Sequence, residues 1–433
     1  MRRTKLVCTI GPATIDHVGE LVAAGMDVAR VNFSHGTPEL HATAVRRVRD
    51  AADDAGRPVA VLADLSGPKI RLGDLDADAV LEPGTSFTLH AESWPHGDAH
   101  DAAVGWAALP AELGQGDRIL LADGAAELRV TDAHGSVVET EVVRGGTIRS
   151  HAGVSVPAER LGGASLTDQD RLDIPRALDL GVDYVAQSFV RRAADVAELR
   201  ALLGDDGPPI VAKIETRPAV EDFDAICGVA DAVMIARGDL GVELPYEEVP
   251  ILQKQLVRRA LDGGVPTIVA TQMLESMVES PRPTRAEASD VANAIFDGAD
   301  AIMLSGETAI GAHPILAAEA AVRICRLCEE RGAAYLPAGA PPHPDSDASA
   351  LAYAAAAVAA TEHDVSAIAC YTRTGRTARV IASLRPRVPI LAFSPDPNVV
   401  RRLALVRGVV PRPCVPPPDT AARLGLMAWL LGE

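Results

Sequence analysis

Lys213 and Glu215 stand two residues apart in the run VAKIET, and the run ARGDLG places Asp239 directly after Gly238. Alternate side chains of an extended segment share a face, so the ammonium and the carboxylate point the same way. The glycine lets the backbone approach a ligand closely. Two carboxylates at neighbouring segment ends make a hard-oxygen site suited to Mg2+ or Mn2+, with the remaining ligands supplied by water and substrate. A lysine beside such an ion supplies positive charge where an oxyanion develops. Arg30 in VARVNFSHG and Arg71 in VLADLSGPKIR add guanidinium groups that match phosphate oxygens. The implied ligand is an anion with a phosphate and a carboxylate, bridged by the metal. Plainer readings stay open for single residues: Glu215 as a mere ion-pair partner of Lys213, and Asp239 as the cap of a short helix in DLGVELP.

Residues of this kind need rigid elements behind them. Short apolar runs recur at 5–10, 27–32, 58–64, 183–188, 209–214, 231–236, 266–271 and 300–305. Each is near-continuously apolar, as a parallel strand buried on both faces requires. Amphipathic stretches such as DVAELRALLG and QKQLVRRALDGG lie between most of them. Eight strand–helix units make a (β/α)8 TIM barrel, whose chemistry sits at the C-terminal strand ends. Those ends carry Asn32 and Ser34, Asp64, Ser188, Lys213 and Glu215, Arg237 and Asp239, Thr271 and Gln272, and Ser305 and Glu307. A barrel with a purely structural task has no need of so many polar groups at one rim.

Residues 72–153 interrupt the alternation with short alternating runs such as SFTLHAE, AELRVT and VVETEVV, which read as a small antiparallel β domain inserted in a barrel loop. The expected division is a barrel of residues 1–71 and 154–330, the insertion at 72–153, a Pro/Ala/Gly linker at 331–348, and a shortened C-terminal α/β domain at 349–433.

A formal charge of −18 argues against a nucleic-acid partner, since phosphate backbones select basic surfaces. Six cysteines without regular spacing read as reduced thiols of a cytoplasmic protein, and the Cys325/Cys328 pair is too few for a closed zinc site. MRRTKLVCTI lacks the apolar core of a signal peptide. LAYAAAAVAA at 351–360 is too short to span a membrane and reads as a packed helix.

The stretches TKLVCTIGPAT, GMDVARVNFSHG, IVAKIETRPAV, MIARGDLGVELP, TRTGRTAR and the whole of residues 270–311 resemble the successive motifs of the pyruvate kinase family. The resemblance implies phosphoryl transfer from phosphoenolpyruvate to ADP, giving pyruvate and ATP. It assigns Lys213 to the phosphoryl group in flight and the enolate left behind, Glu215 and Asp239 to Mg2+ (or Mn2+), and Gly238 to the substrate through its backbone. Thr271 lies near the proton delivered to the enolate carbon, and Arg30 binds the phosphoryl group. Asn32, Arg71 and Asp123 fall to the nucleotide side, and the inserted domain becomes a water-excluding lid. Asp123 in LLADG also reads as an ordinary turn residue.

Three departures from the family pattern stand out. Ala152-Gly153 replaces the usual Lys-Gly, so a lid cation is missing or His151 or Arg149 substitutes for it. The third domain keeps the TRTGRT loop at 372–377 but lacks the family's two further strands, and half a site is poor support for a sugar-phosphate effector. Asn32, Ser34, Asp64 and the Leu65 carbonyl match a K+ pocket, yet Leu65-Ser66 replaces Thr-Lys and Lys69 replaces a glutamate. A lysine is a +1 charge at physiological pH, so the expectation is an enzyme that does not require K+. Family members are usually homotetramers, which makes a homo-oligomer the expectation here. Two other readings are a Mg-dependent barrel lyase or aldolase acting on pyruvate or phosphoenolpyruvate, which needs no lid, and a metabolite-binding pseudoenzyme.

Overall fold

The computed structural model describes residues 1–433 except 123, 158–159, 161–164, 340–346, 363, 416–418, 420, 423–424 and 426–433. The first three apolar runs form β1 (Lys5–Thr9), β2 (Val28–Asn32) and β3 (Ala60–Asp64). An insertion then contributes β4 (Ala79–Leu81), β5 (Ser86–His90), β6 (Asp101–Ala103), β7 (Arg118–Leu121), β8 (Ala126–His134), β9 (Val137–Arg144), β10 (Gly146–Ile148) and β11 (Val154–Ser155). The alternation resumes with β12 (Tyr184–Gln187), β13 (Ile210–Ile214), β14 (Ala232–Ala236), β15 (Thr267–Ala270) and β16 (Ala301–Leu304). β1 to β3 and β12 to β16 pair in parallel and close into a barrel, with β1 bonded to both β2 and β16. All eight apolar runs are barrel strands.

Side-chain parity decides what the barrel holds. Val7, Val28, Leu62, Tyr184, Val211, Met234, Ile268 and Met303 pack together as the interior. Their neighbours in sequence, among them Cys8, Ala29, Val61, Val185, Ala212 and Val233, pack outward under the helices. Because the period is two, the same count continued past the interior reaches Thr9, Arg30, Asp64, Ser188, Lys213 and Glu215. The polar rim is therefore the top layer of the barrel interior. At the other end Ala404 and Leu405, from the C-terminal domain, join the interior cluster and stop the barrel's bottom.

The helices carry their own start signals. Thr167 with Asp170 and Thr284 with Glu287 form capping boxes at the helices Asp168–Asp179 and Arg285–Asp297. Cys325 and Cys328 are buried in the helix Pro314–Arg331, where burial pushes the Cys325 thiol up to about 12. No helix among the described residues is long and apolar enough to cross a membrane.

Within the insertion the sheet order is β11-β7-β8-β9-β5-β6, with β4 and β10 as a separate ribbon. The incoming chain bridges both edges of that sheet: Arg71 pairs with Gly153 beside β11, and Leu72 with Val104 beside β6. The edges are drawn together around one apolar core. One pair departs from the antiparallel expectation, since β5 and β6 run parallel. The segment between them crosses back to the starting end, which a parallel pairing demands.

The C-terminal domain carries a parallel sheet of β17 (Ile368–Tyr371), β18 (Ile390–Ser394) and β19 (Val409–Pro413). Lys5 Nζ donates to the Val409 carbonyl at 2.8 Å, and Arg385 grips both oxygens of Asp300 at 3.0 Å, so buried charges fasten this domain to the barrel. The alanine-rich run does form a helix, Asp347–Thr361, but it is not packed all round. Ala352 and Ala359 are buried while Leu351, Tyr353 and Val358 stand exposed, because a three-stranded sheet covers one side of it alone.

Candidate active site

Asp64 ends β3 with 1% exposure and holds two cations. Its Oδ2 accepts from Arg30 Nε at 2.6 Å, and its Oδ1 lies 3.3 Å from Lys213 Nζ. Burial alone raises a carboxyl, but Lys213 and Arg30 together outweigh it and hold Asp64 below the usual carboxylate range. Arg30 also donates to Thr9 Oγ1 at 3.1 Å, so its guanidinium is aimed along the rim from β2.

Lys213 Nζ lies 2.9 Å from Glu215 Oε1 and donates to Ser188 Oγ at 2.7 Å. Burial works against its charge, yet Asp64 and Glu215 keep it above the ordinary lysine value. The rim thus holds a permanently charged ammonium. Glu215 is fully buried; its Oε2 accepts the backbone N–H of Phe189 at 2.7 Å, and its Oε1 has no hydrogen bond despite the nearby ammonium. Burial raises this carboxyl; Lys213 opposes the rise and Asp239 adds to it.

A buried carboxylate oxygen without a hydrogen bond, repelled by a second carboxylate, is what a divalent cation satisfies. The residues fit Mg2+, which asks for one or two carboxylates and fills its octahedron with water and substrate oxygens. No group of three or more metal-holding side chains occurs among the described residues.

Gly238 and Asp239 lie in the first turn of the short helix Arg237–Glu243, which follows β14. Arg237 itself turns aside, donating to Asp290 at 2.7 Å and to the Thr271 carbonyl at 2.8 Å. Thr271 follows β15 with φ of 69°, and Gln272 with 52°. A β-branched residue in that region is strained by about 1–3 kcal/mol, and such strain gathers at functional sites. By alternation Thr271 belongs with Val269, on the outward side. The left-handed turn brings its Oγ1 instead to the Gly238 N–H, at 2.7 Å.

The far side of the rim is cationic. Lys69 Nζ lies 3.9 Å from Asp239 Oδ1, with each side chain about one-third exposed. Arg71 donates to the His151 carbonyl at 3.2 Å, joining the two strands of chain that link barrel and insertion. His35 is held below the usual histidine pKa, first by partial burial and then by Arg71, Lys69 and Arg30. Asn32 Oδ1 accepts the Ser34 N–H at 3.1 Å, and the Leu65 carbonyl accepts from Ser188 Oγ at 2.7 Å.

Arg30, Asp64, Lys213 and Glu215 are brought into direct contact, as are Thr271 with Gly238 and Lys69 with Asp239. Arg71 and Asn32 make their hydrogen bonds elsewhere, with the His151 carbonyl and the Ser34 N–H. Asp123 lies outside the described residues. Ala152 is 9% exposed and packs its methyl into the insertion's own core, while His151 beside it pairs with Asp74 at 3.2 Å. Ser188, expected at the rim, is a partner of Lys213, while two participants were not expected: the Phe189 N–H, which holds Glu215, and His35. Ser188 was visible as a strand-end hydroxyl of the inward parity. Nothing local marks the other two.

A model of the pyruvate kinase barrel domain matches residues 1–318, and one of the pyruvate kinase alpha/beta domain matches residues 349–428. A pyruvate kinase of Mycobacterium tuberculosis is 44% identical over 426 residues, covering 94% of this chain and 86% of the relative. Pyruvate kinase 2 of Synechocystis is 43% identical over 429 residues, covering 97% of this chain and 72% of that one. The crystal structure of a pyruvate kinase from Cryptosporidium parvum superposes with a TM-score of 0.89 at 32% identity, over 100% of this chain and 91% of the other. A closed barrel of matching motifs, two family domains in order and identities above 40% across nearly the whole length leave one conclusion: the chain belongs to the pyruvate kinase family and is a phosphotransferase.

Proposed function

We propose that the barrel rim moves the phosphoryl group of phosphoenolpyruvate to ADP, giving pyruvate and ATP. The observation that carries this reading is the Asp64–Lys213–Glu215 cluster: a buried ammonium between two buried carboxylates, one of which has an oxygen without a hydrogen bond. A β-phosphate oxygen of ADP attacks phosphorus in line. The bond from phosphorus to the enolate oxygen breaks, and its electron pair stays on that oxygen. The enolate carbon then takes a proton to give pyruvate. Arg30, aimed by Asp64, binds the phosphoryl oxygens. Lys213 neutralises the charge spread over them in flight and then the enolate oxygen. Glu215 and Asp239 would hold Mg2+, which would supply positive charge against the anionic oxygens of the substrate. Gly238 lets the backbone meet the substrate closely, and Thr271 stands where the proton is delivered.

Asn32, Arg71 and Asp123 make up the nucleotide side. Residues 72–153 act as a lid that keeps water from competing with ADP; a core separate from that of the barrel supports their moving as a unit. The barrel is then 1–71 with 154–330, although Val154–Ser155 pairs within the insertion's sheet, followed by a linker at 331–348 and the C-terminal domain at 349–433. Six unpaired thiols support a cytoplasmic setting. The exposed apolar face of the helix Asp347–Thr361 supports a homo-oligomer. The test is pyruvate release from phosphoenolpyruvate with and without ADP and Mg2+. Turnover that needs both is expected; pyruvate formed at the same rate without ADP overturns the reading.

K+ is not required in this scheme. Lys69 brings a fixed positive charge to the same rim, beside Asp239, and the Leu65 carbonyl of the matching K+ pocket already accepts a hydrogen bond. Activity with Na+ or a bulky organic cation as sole counterion is expected to equal that with K+. An absolute need for K+ sinks the idea.

A further inference from the structure

Ser188 follows β12 at 2% exposure, and no role is assigned to it above. A hydroxyl has one proton to give. Here it goes to the Leu65 carbonyl at 2.7 Å, with Asp64 Oδ1 more distant at 3.4 Å. That commitment turns a lone pair toward Lys213, whose Nζ donates to it at 2.7 Å. The carbonyl that orients Ser188 belongs to the segment Leu65–Gly67, through which the chain leaves the barrel for the insertion. Gly67, at φ of 64°, packs against the other side: a Cβ built on it meets Ser188 Cβ at 2.9 Å. The next residue, Phe189, has φ of 54°, a strained value for a bulky side chain, and its N–H holds Glu215.

From this geometry we propose that Ser188 is the positioning residue for Lys213, itself held in place by the exit segment Leu65–Gly67. The inference rests on the role given to Lys213 under Proposed function. Asp64 and Glu215 already secure the ammonium's charge, so Ser188 contributes direction. Together with Asp64 Oδ1 and Glu215 Oε1, the Ser188 oxygen gives the ammonium three fixed partners. An exit segment that moves with the insertion would shift the Leu65 carbonyl, and through Ser188 the ammonium.

The test compares Ser188→Ala and Ser188→Thr with Lys213→Met in the full chain. A hydrogen bond to a charged group is worth about 10- to 150-fold, so Ser188→Ala is expected to lower kcat about 30-fold. The KM for phosphoenolpyruvate and the Mn2+ affinity, read by electron paramagnetic resonance, should stay within about threefold, because Glu215 is held by backbone rather than by this hydroxyl. Ser188→Thr, which keeps the hydroxyl, is expected to recover kcat to within about fivefold of the parent. Wild-type kcat in Ser188→Ala overturns the proposal, as does a parallel loss of kcat and Mn2+ affinity, or a Thr variant no better than the Ala variant. Lys213→Met separates the two ideas. If it abolishes turnover while Ser188→Ala does not lower it, the positioning role falls and the role of Lys213 stands. If Lys213→Met itself retains turnover, the underlying reading fails first.

Discussion

Lys213→Met is expected to slow phosphoryl transfer by at least about 10³-fold, because the reaction is left without its fixed cation at the transferring group. Methionine has nearly the length of the lysine stem and suits a position buried over a Val211–Met234 interior. The substitution removes a charge from a closed network, and breaking a buried pair ordinarily costs about 3–5 kcal/mol. Two features soften that cost here. Asp64 keeps Arg30 at 2.6 Å as its second cation. Glu215, whose carboxyl burial already raises, takes up a proton more readily once Lys213 is gone. The barrel should therefore melt cooperatively and only a few degrees lower, while turnover in a pyruvate-detecting assay disappears. Retained turnover removes Lys213 from its role; loss of the folding transition leaves the rate uninterpretable and calls for Lys213→Gln, which keeps a hydrogen-bond donor without the charge.

Glu215→Gln is expected to weaken Mn2+ binding by about 100-fold or more and to lower kcat with it. The two acids of the site are not equivalent. Glu215 is wholly buried and presents an oxygen with no hydrogen bond, whereas Asp239 is one-third exposed and faces Lys69. A metal gains most from the buried oxygen that water does not reach, since water already solvates the exposed one. Glutamine is isosteric, and its carbonyl can still accept the Phe189 N–H, so the β12–β13 corner should survive. Asp239→Asn should cost less, about tenfold in Mn2+ affinity, because the lost charge is partly screened by solvent. Titration of Mn2+ by its paramagnetic resonance signal measures both without any turnover. Equal losses in the two variants would falsify the ranking.

What could be read in the linear chain is whatever depends on period two. Continuous apolar runs determined the eight strands, and alternation placed Lys213 with Glu215 on the inward count begun by Val211. The same count, applied separately to VARVN and AVLAD, places Arg30 and Asp64 at the rim. Short alternating runs separated by turns likewise marked the insertion. None of this depends on which strand lies beside which.

The tertiary structure decided everything that crosses between strands. That Arg30 meets Asp64 follows from the Asn32–Asp64 register of β2 on β3. That Ser188 meets Lys213 follows from the stagger of β12 on β13. Stagger is set by closure of the barrel, a property of eight strands at once. Thr271 shows the limit most plainly: alternation assigns it outward, and a left-handed backbone, held by surrounding contacts against its own preference, turns it to Gly238. Ala152 shows it for the insertion, where that side chain packs into the core. Period is a property of neighbours in sequence and could be read there; register, strain and the direction of packing are properties of neighbours in space and could not.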